Sequence, residues 1–484
     1  MSRLSQVGVG AGVSVVGDEM SEAGGIIERI AAEAVKVVDF RFTDLTGRWR
    51  HLGREAGGVT EQLLTHGVFI DGSAIPGWRD ITESDLLLKP DLATAFIDPF
   101  SAQPTLVLLC DGTEPGTGIG YERDPRSAAV RGEAFLRGCR YADQVRVAAE
   151  LAFFLFDEVK LELGPLRGIY QLAASEHRTS APSVRDGHRP NPDAAYLSLP
   201  PADHMADIRA EITSVLASLG VGGLKQAHGR ASGQNELCGI VGGLVAAADR
   251  LQLSKYVIHQ VAASYGKVAT FMPKPVADEP GSGLYVNQAL WRDRKPTFAG
   301  QGYADLSATC LQFVAGIMLH ARALNAFTNP TTNSYKRLRP EQDEPTLLAY
   351  AAHNRSAAVR IPYAARPEDK RIEVRFPDPT ANPYLAFTAI LMAGIDGIER
   401  KLEPGDAMDR NLYDLRRDEV EDLPSVCGSL REALDALAGD HEFLARGDVM
   451  PPDLVQAYID VKRRELDLVE RTPNPVEFQL YLSL

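Results

Sequence analysis

The stretch Val147–Asp157 constrains the fold most, because it places one carboxylate, Glu150, inside the otherwise apolar run VAAELAFFL. Such a run predicts a buried strand, and alternation puts Glu150 on one face with Ala148 and Ala152. A buried, unpaired carboxylate costs several kcal/mol, so this one needs a partner. Two interpretations stay open: a structural arginine near the strand end, or a ligand role towards a metal ion.

A second segment, KRIEVRFPDPTANPYLAF (370–387), sharpens this choice. In a strand, Arg371, Glu373 and Arg375 share one face and the apolar residues share the other. The face is either the solvated side of an amphipathic sheet or part of a site. The neighbouring segments NPTTNSYKRLRP (329–340) and HNRSAAVRIP (353–362) add further arginines. Arginines beside carboxylates suit bidentate binding of phosphate or carboxylate ligands, which favours a site.

Charge and cysteine content exclude several classes of protein. The net charge of -14 argues against a nucleic-acid partner, because phosphate binding needs basic surface. Five cysteines without CxxC spacing indicate reduced thiols and a cytoplasmic location. No run of 18 apolar residues is present, so we expect no membrane partner.

The chain divides into a short arm and two folded parts. Residues 1–25 are glycine-rich at their centre and predict a flexible arm. Residues 26–121 contain short β-like runs separated by turn residues, and a glycine-rich segment, Gly112–Pro125, predicts the boundary. Residues 122–484 alternate helices and strands, with helical periodicity at 207–219, 251–265 and 308–326.

From about residue 36 onwards the chain resembles type-I glutamine synthetases. The resemblance is specific because many long motifs occur in order, among them DFRFTD, DGSAIPGW, SGQNE, ATFMPKP, NPTTNSYKRL and RIEVRFPDPTANPYLAF. It implies an α+β fold with a small amino-terminal β-grasp domain and a large catalytic α/β domain. It also implies a homo-oligomer of two stacked six-membered rings, with sites between neighbouring subunits.

The resemblance implies ATP, two Mg²⁺ or Mn²⁺ ions and small-molecule substrates: an acid, glutamate in the family, and ammonia or an amine. Family motifs fall on residues with implied roles. These are catalytic Asp71, Asp343 (on a flap) and Arg360; substrate-binding Tyr196, Gly281, Tyr285, Arg337, Arg355 and Arg375; nucleotide-binding Asn287, Arg360 and Arg371; and metal-binding Glu150, His228, Glu236 and Glu373. Tyr413, in NLYDL, matches a tyrosine that some members adenylylate, although a structural role is equally open.

The implied metal set is incomplete. The second glutamate of the opening strand is Ala152, and the metal-binding histidine of the family's GSGxHxH motif is Tyr285. His228 stands where the family has a glutamate, and could either replace that ligand or fill space. One implied metal position keeps Glu236 and His228, and the other keeps Glu150 and Glu373. Carboxylates with phosphates and waters can still hold magnesium.

Three functions follow from this mixed pattern. The first is a ligase that joins glutamate or a related acid to ammonia or an amine through an acyl phosphate. The second is a metal-poor or ATP-independent enzyme of specialised metabolism on the same scaffold. The third is a non-catalytic regulatory homologue. Retention of the arginines beside altered metal-side positions favours the first two.

Overall fold

The amino-terminal region forms a five-stranded sheet in the order β2–β1–β5–β4–β3. The computed structural model describes residues 21–177, 188–191, 194–339, 344–416, 419–420, 423–473 and 475–484. Strands β1 and β5 are parallel and lie at the centre, and the other pairs are antiparallel. This confirms the small β-grasp domain. Its elements are α1 (Glu22–Ala32), β1 (Val37–Thr43), β2 (Trp49–Glu55), α2 (Glu61–His66), β3 (Val68–Asp71), β4 (Asp85–Ile97) and β5 (Thr105–Thr113).

A larger sheet dominates the remaining chain. Its path is β14–β15–β16–β12–β6–β10–β9, while β11 pairs with β6 and β13 pairs with β12. A separate hairpin joins β7 and β8. The strands are β6 (Gln144–Phe156), β7 (Glu158–Gly164), β8 (Arg167–Ala173), β9 (Lys225–His228), β10 (Gln234–Gly242), β11 (Val268–Thr270), β12 (Leu284–Arg292), β13 (Lys295–Pro296), β14 (Tyr350–Ala352), β15 (Val359–Ile361) and β16 (Ile372–Val374).

Helices cover the large sheet and form most of the core. The three helices predicted from periodicity are present as α4, α5 and α6. Ser307 and Asn382 cap α6 and α8 with their side chains, as expected for residues at helix starts. The helices are α3 (Pro125–Gly138), α4 (Ala206–Ser218), α5 (Leu244–Ser264), α6 (Ala308–Thr328), α7 (Ser334–Arg337), α8 (Pro383–Arg400), α9 (Leu430–Gly439), α10 (Glu442–Ala445), α11 (Pro452–Arg471) and α12 (Val476–Tyr481).

Helices α6 and α8 pack at unusually close range because glycines face one another. A Cβ added at Gly316 would lie 2.1 Å from the carbonyl oxygen of Ala393, and one at Gly397 would lie 2.1 Å from that of Gln312. Within the described residues, α6 is the one helix long and apolar enough to cross a membrane, yet 72% of its most apolar window is buried. Packing against α8 therefore accounts for its apolar composition.

A buried arginine ties the two domains together. Arg126, in the first turn of α3, donates to Asp91 and Asp111 of the small domain and to Asp249 of α5. Only 4% of its side chain is exposed. Three carboxylates around one guanidinium offset the cost of burying that charge. The domains are thus joined by a specific polar contact close to the predicted boundary.

Candidate active site

Three strands bring chemically active side chains into one row. Glu150 lies in the middle of β6, directly opposite Cys238 of β10 and Tyr285 of β12. Residues opposite one another in an antiparallel pair share a face, so these three side chains are neighbours. The next row contains Ala148, Asn287 of β12, Glu373 of β16 and Arg360 of β15.

Glu236 completes this surface. It lies opposite Ala152 and therefore diagonal to Glu150 across β6 and β10, a spacing that long side chains can bridge. We call this surface the site face and define it by Glu150, Glu236, Cys238, Tyr285, Asn287, Arg360 and Glu373. Strand alternation thus places six of the fifteen predicted site residues together.

Glu150 forms no ion pair with a described arginine, although the charges of Arg371, Arg360 and Arg375 act on it from farther away. It accepts a weak hydrogen bond from the thiol of Cys238, with 3.8 Å between sulfur and Oε2. Burial raises the pKa of Glu150, and the negative charge of Glu373 adds to that rise. The position in mid-strand and the lack of an ion pair argue against the structural-arginine interpretation.

Glu236 is in a similar state. It makes no hydrogen bond or ion pair with another described residue, and burial followed by the charge of Glu150 raises its pKa. Two partly buried carboxylates that each favour the proton thus act on one another, and neither has a described cation within ion-pair distance. This is the electrostatic situation that a bound divalent cation relieves.

Glu373, by contrast, is already neutralised. Arg360 donates to its Oε2 at 3.0 Å and Arg375 donates to its Oε1 at 2.7 Å. The Arg375 guanidinium also lies 4.1 Å from the centre of the Tyr285 ring. The side chain of Glu373 is 2% exposed, so the outer-face interpretation of this strand is wrong. The arginines and carboxylates form a buried network.

Two cavities are lined by predicted site residues, and Asn287 of the site face lines the smaller one. One, of about 530 Å³, is lined by Arg355 and Tyr413 among others. The guanidinium of Arg355 forms no hydrogen bond or ion pair with a described residue, while its carbonyl accepts from Arg375 and from the Tyr413 hydroxyl. The other, of about 350 Å³, is lined by Asn287 and Arg371, which are joined by a hydrogen bond of 3.0 Å.

Arg337 lies beneath the site face rather than on it. Its side chain is fully buried, and it donates to Glu344 at 2.6 Å and to the carbonyls of Phe376 and Pro377. A Cβ at Gly281 would lie 2.9 Å from the Arg337 side chain, so this glycine makes room for the arginine. The roles of both residues in substrate contact remain predictions. Asp343 lies outside the described residues.

His228 faces away from Glu236. It lies opposite Asn235, whereas Ala227 lies opposite Glu236, so strand alternation turns the imidazole to the other side. Its Nε2 contacts Glu176 at 3.1 Å and its Nδ1 donates to the Gly229 carbonyl at 2.8 Å. The prediction that His228 binds the same metal as Glu236 is therefore not supported by the geometry.

Asp71 and Tyr196 lie apart from the site face. Asp71 is exposed at the end of β3, and its carboxylate accepts from the hydroxyl and amide of Ser73. Both hydrogen bonds lower the pKa of Asp71, and the one from the Ser73 hydroxyl has the larger effect. The Tyr196 side chain is exposed before the cis Pro200–Pro201 bond. Within one subunit of the described structure, no hydrogen bond or ion pair links either residue to the site face.

The donor set fits one divalent cation rather than two. Ala152 and Tyr285 cannot replace carboxylate or imidazole ligands, and two arginines occupy the oxygens of Glu373. This leaves Glu150 and Glu236 as carboxylates without a cationic partner. Among the described residues, the one group of three such ligand atoms within 4.8 Å is Glu176, Asp203 and His228. Arg209 already neutralises Asp203 there, so this group is a polar network.

Comparisons with known protein families agree with this geometry. The glutamine synthetase catalytic domain matches residues 122–481, and the glutamine synthetase beta-Grasp domain matches residues 34–115. The chain belongs to the glutamine synthetase family. This confirms the resemblance found in the sequence. The family is one of ligases, and its members are oligomers that act on small molecules.

Individual relatives cover nearly the whole chain. The glutamine synthetase of Bradyrhizobium diazoefficiens is 49% identical over 468 residues, 96% of this chain and 100% of the relative. A protein named 3-hydroxylaminophenol mutase, from Cupriavidus pinatubonensis, is 46% identical over 465 residues, 95% of this chain and 98% of the relative.

Solved structures show the same fold. The glutamine synthetase of Plasmodium falciparum superposes with a TM-score of 0.85 at 27% identity, covering 95% of this chain and 99% of that one. The ligand-free GmaS structure has a TM-score of 0.78 at 28% identity, covering 94% and 98%.

Sequence reasoning missed three residues that contact predicted site residues. Cys238 lies two residues after Glu236, and the strand period alone would have placed it beside Glu150. Glu344 directly follows Asp343, and Glu344 is the acid that contacts Arg337. Glu176 gave no signal, because nothing in its neighbourhood shows that a loop residue would meet His228.

Proposed function

We propose that this protein is an ATP-dependent ligase that joins the carboxylate of glutamate or a related acid to ammonia or an amine. The observation that carries the proposal is Arg355, whose guanidinium lines a 530 Å³ cavity without a hydrogen bond to a described residue and acts electrostatically on Glu236 of the site face. Arginines suit the bidentate binding of carboxylates, and charge neutralisation around a transferred phosphoryl group is the main task of such a site.

The roles of the chain's own residues follow from their positions. Arg355 binds the acid substrate, and Arg360 and Arg375 hold the anionic reacting groups against the site face. Asn287 and Arg371 line the nucleotide cavity. Glu150 and Glu236 hold one Mg²⁺ or Mn²⁺ ion, which supplies charge neutralisation at the phosphates. We further propose that Asp71 and Tyr196 bind the nitrogen substrate at the site of a neighbouring subunit in a double six-membered ring.

Phosphate release tests this proposal. Purified protein with ATP, Mg²⁺ and glutamate is mixed with ammonia and a panel of amines, and released phosphate is measured. We expect release that depends on one nitrogen substrate and falls at least tenfold in Arg355→Ala, which loses a charge-assisted bidentate contact. Arg366→Ala, an exposed arginine paired with Asp369, is the matched control. The absence of release across panels of acids and amines would remove the proposal.

A second candidate is an enzyme on the same scaffold that does not use ATP. It is supported by the exchange of two metal-ligand positions for Ala152 and Tyr285, and by a relative whose name is that of a mutase. Calorimetry with an ATP analogue separates the two. The ligase binds the analogue with a divalent cation, and the alternative enzyme binds the acid substrate alone. A regulatory homologue binds one of these ligands without converting it to product.

A further inference from the structure

A buried lysine outside the site face lacks a counter-charge. Lys255, on α5, is 6% exposed, and it forms no hydrogen bond or ion pair with a described residue. Asp378 is the one acidic group that favours its charge, and it does not come within the 4.0 Å of an ion pair. Burial lowers the pKa of Lys255 to about 8. The ammonium lies 5.3 Å from the centre of the Phe271 ring. A buried ammonium without a counter-charge is costly, so an anionic ligand would stabilise it.

Lys255 lines a cavity of about 270 Å³ whose walls are basic and aromatic. Residues Gln252, Lys255, Tyr256 and His259 face it from successive turns of α5, at the spacing of one helix face. Arg48 and Arg50 line it from the β1–β2 hairpin, and no acidic side chain lines it. The remaining wall consists of Gly47, Trp49, Ser483 and Leu484.

The basic side chains of this cavity differ in the hydrogen bonds and ion pairs that they already make. Arg50 donates to Asp44 at 2.8 Å, and Arg48 donates to the carbonyl of Leu480, so both guanidinium groups keep further N–H donors. Burial and the neighbouring Lys255 lower the pKa of His259 to about 4, so this imidazole is neutral. The cavity therefore combines three cations with a neutral ring.

We propose that this cavity binds a small organic or inorganic oxyanion, held by Lys255 with Arg48 and Arg50. A carboxylate or phosphate group supplies the counter-charge that Lys255 lacks, and guanidinium forks suit the same groups. The site shares no lining residue with the site face or its two cavities, so the inference does not depend on the proposed function.

The intrinsic fluorescence of Trp49 tests the proposal locally. The chain has three tryptophans, and Trp78 and Trp291 are buried elsewhere. We expect saturable fluorescence changes on titration with inorganic phosphate, with citrate, or with both, at constant ionic strength. A fluorescence change with phosphate alone indicates an inorganic or phosphoryl ligand. A change with citrate alone indicates an organic carboxylate. Trp49→Phe should lose the signal.

Variants of the lysine decide the outcome. Lys255→Met should weaken binding about tenfold or more, since one charge-assisted contact is lost. Lys255→Arg should retain it, and Lys89→Met, at an exposed position of β4, is the control. Lys255→Met removes an unpaired buried charge, so its melting temperature should equal or exceed that of the natural protein. No saturable change with either anion, or equal binding by Lys255→Met, overturns the proposal.

Discussion

The guanidinium of Arg375 lies 4.1 Å from the ring centre of Tyr285, at the position where the family resemblance implies a metal-binding histidine. The same guanidinium donates to Glu373, an implied ligand of that metal. A protein cation thus contacts two residues that stand at implied ligand positions of one metal. The arrangement explains how the site tolerates a tyrosine there.

Loss of Arg375 should destabilise the protein. Arg375→Met leaves one oxygen of the buried Glu373 without its cation, while Arg360 still holds the other. We expect the free energy of unfolding to fall by about 2–3 kcal/mol, below the usual loss for a fully broken buried pair. Urea denaturation measures the change. The exposed pair of Arg366 with Asp369 supplies the control, since Arg366→Met should cost less than about 1 kcal/mol. Equal losses would contradict a buried network.

Removal of the Glu236 charge should stabilise the protein without divalent cations. The folded-state pKa of Glu236 is raised by burial and by Glu150, so the folded protein holds this proton more tightly than the unfolded chain does. Stability is therefore lost as pH rises from the unfolded pKa through the folded pKa. We expect Glu236→Gln to melt at a higher temperature than the natural protein at pH 7.5 in chelator.

The difference in melting temperature between Glu236→Gln and the natural protein should disappear as pH falls below about 4, where the carboxyl is protonated in both the folded and the unfolded state. Stabilisation by added Mn²⁺ should disappear in the variant. Glu28→Gln, at an exposed position of α1, should change neither quantity. A Glu236→Gln variant that melts lower in chelator at pH 7.5 would show that this carboxylate has a cationic partner within the protein.

His228 should also contribute stability that falls as pH rises, because its folded-state pKa is raised as well. Burial opposes its charge, but the contact with Glu176 outweighs burial and raises its pKa. The contribution is fully present below the unfolded value of about 6.5 and is lost as pH rises through the folded pKa. We expect the decline in unfolding free energy above pH 6.5 to be shallower in His228→Gln. His66→Gln, exposed on α2, should keep the natural slope, and an unchanged slope in both variants would refute the pairing.

The sequence predicted the site face well because strand alternation is a local rule. Once 147–157 and 370–376 were assigned as strands, Glu150, Glu373 and the arginines had defined faces. The family motifs then supplied the order of the domains. Local rules could not show which carboxylates would be paired, because that depends on how far each arginine reaches across strands. Glu373 and Glu150 look alike in sequence, yet only Glu373 meets two guanidinium groups.

The orientation of His228 could not be predicted for the same reason. Its spacing from Glu236 matches the family pattern, and spacing alone suggested a shared metal. The register of β9 against β10 places Ala227 on that face instead. The contact partner of His228, Glu176, comes from a segment with no strand or helix signature, so no sequence rule anticipates the pair.

The count of divalent cations per subunit tests the central claim most directly. Mn²⁺ binding is measured by calorimetry, with metal content checked by mass spectrometry of the dialysed protein. We expect one ion per subunit in the natural protein, lost in Glu236→Gln. The double substitution Ala152→Glu with Tyr285→His restores the implied ligand types, and should raise the count to two. One ion in the natural protein and two in the double variant would support the claim that the exchanges at Ala152 and Tyr285 removed one of the two implied ions. Two ions in the natural protein, or none, would contradict it.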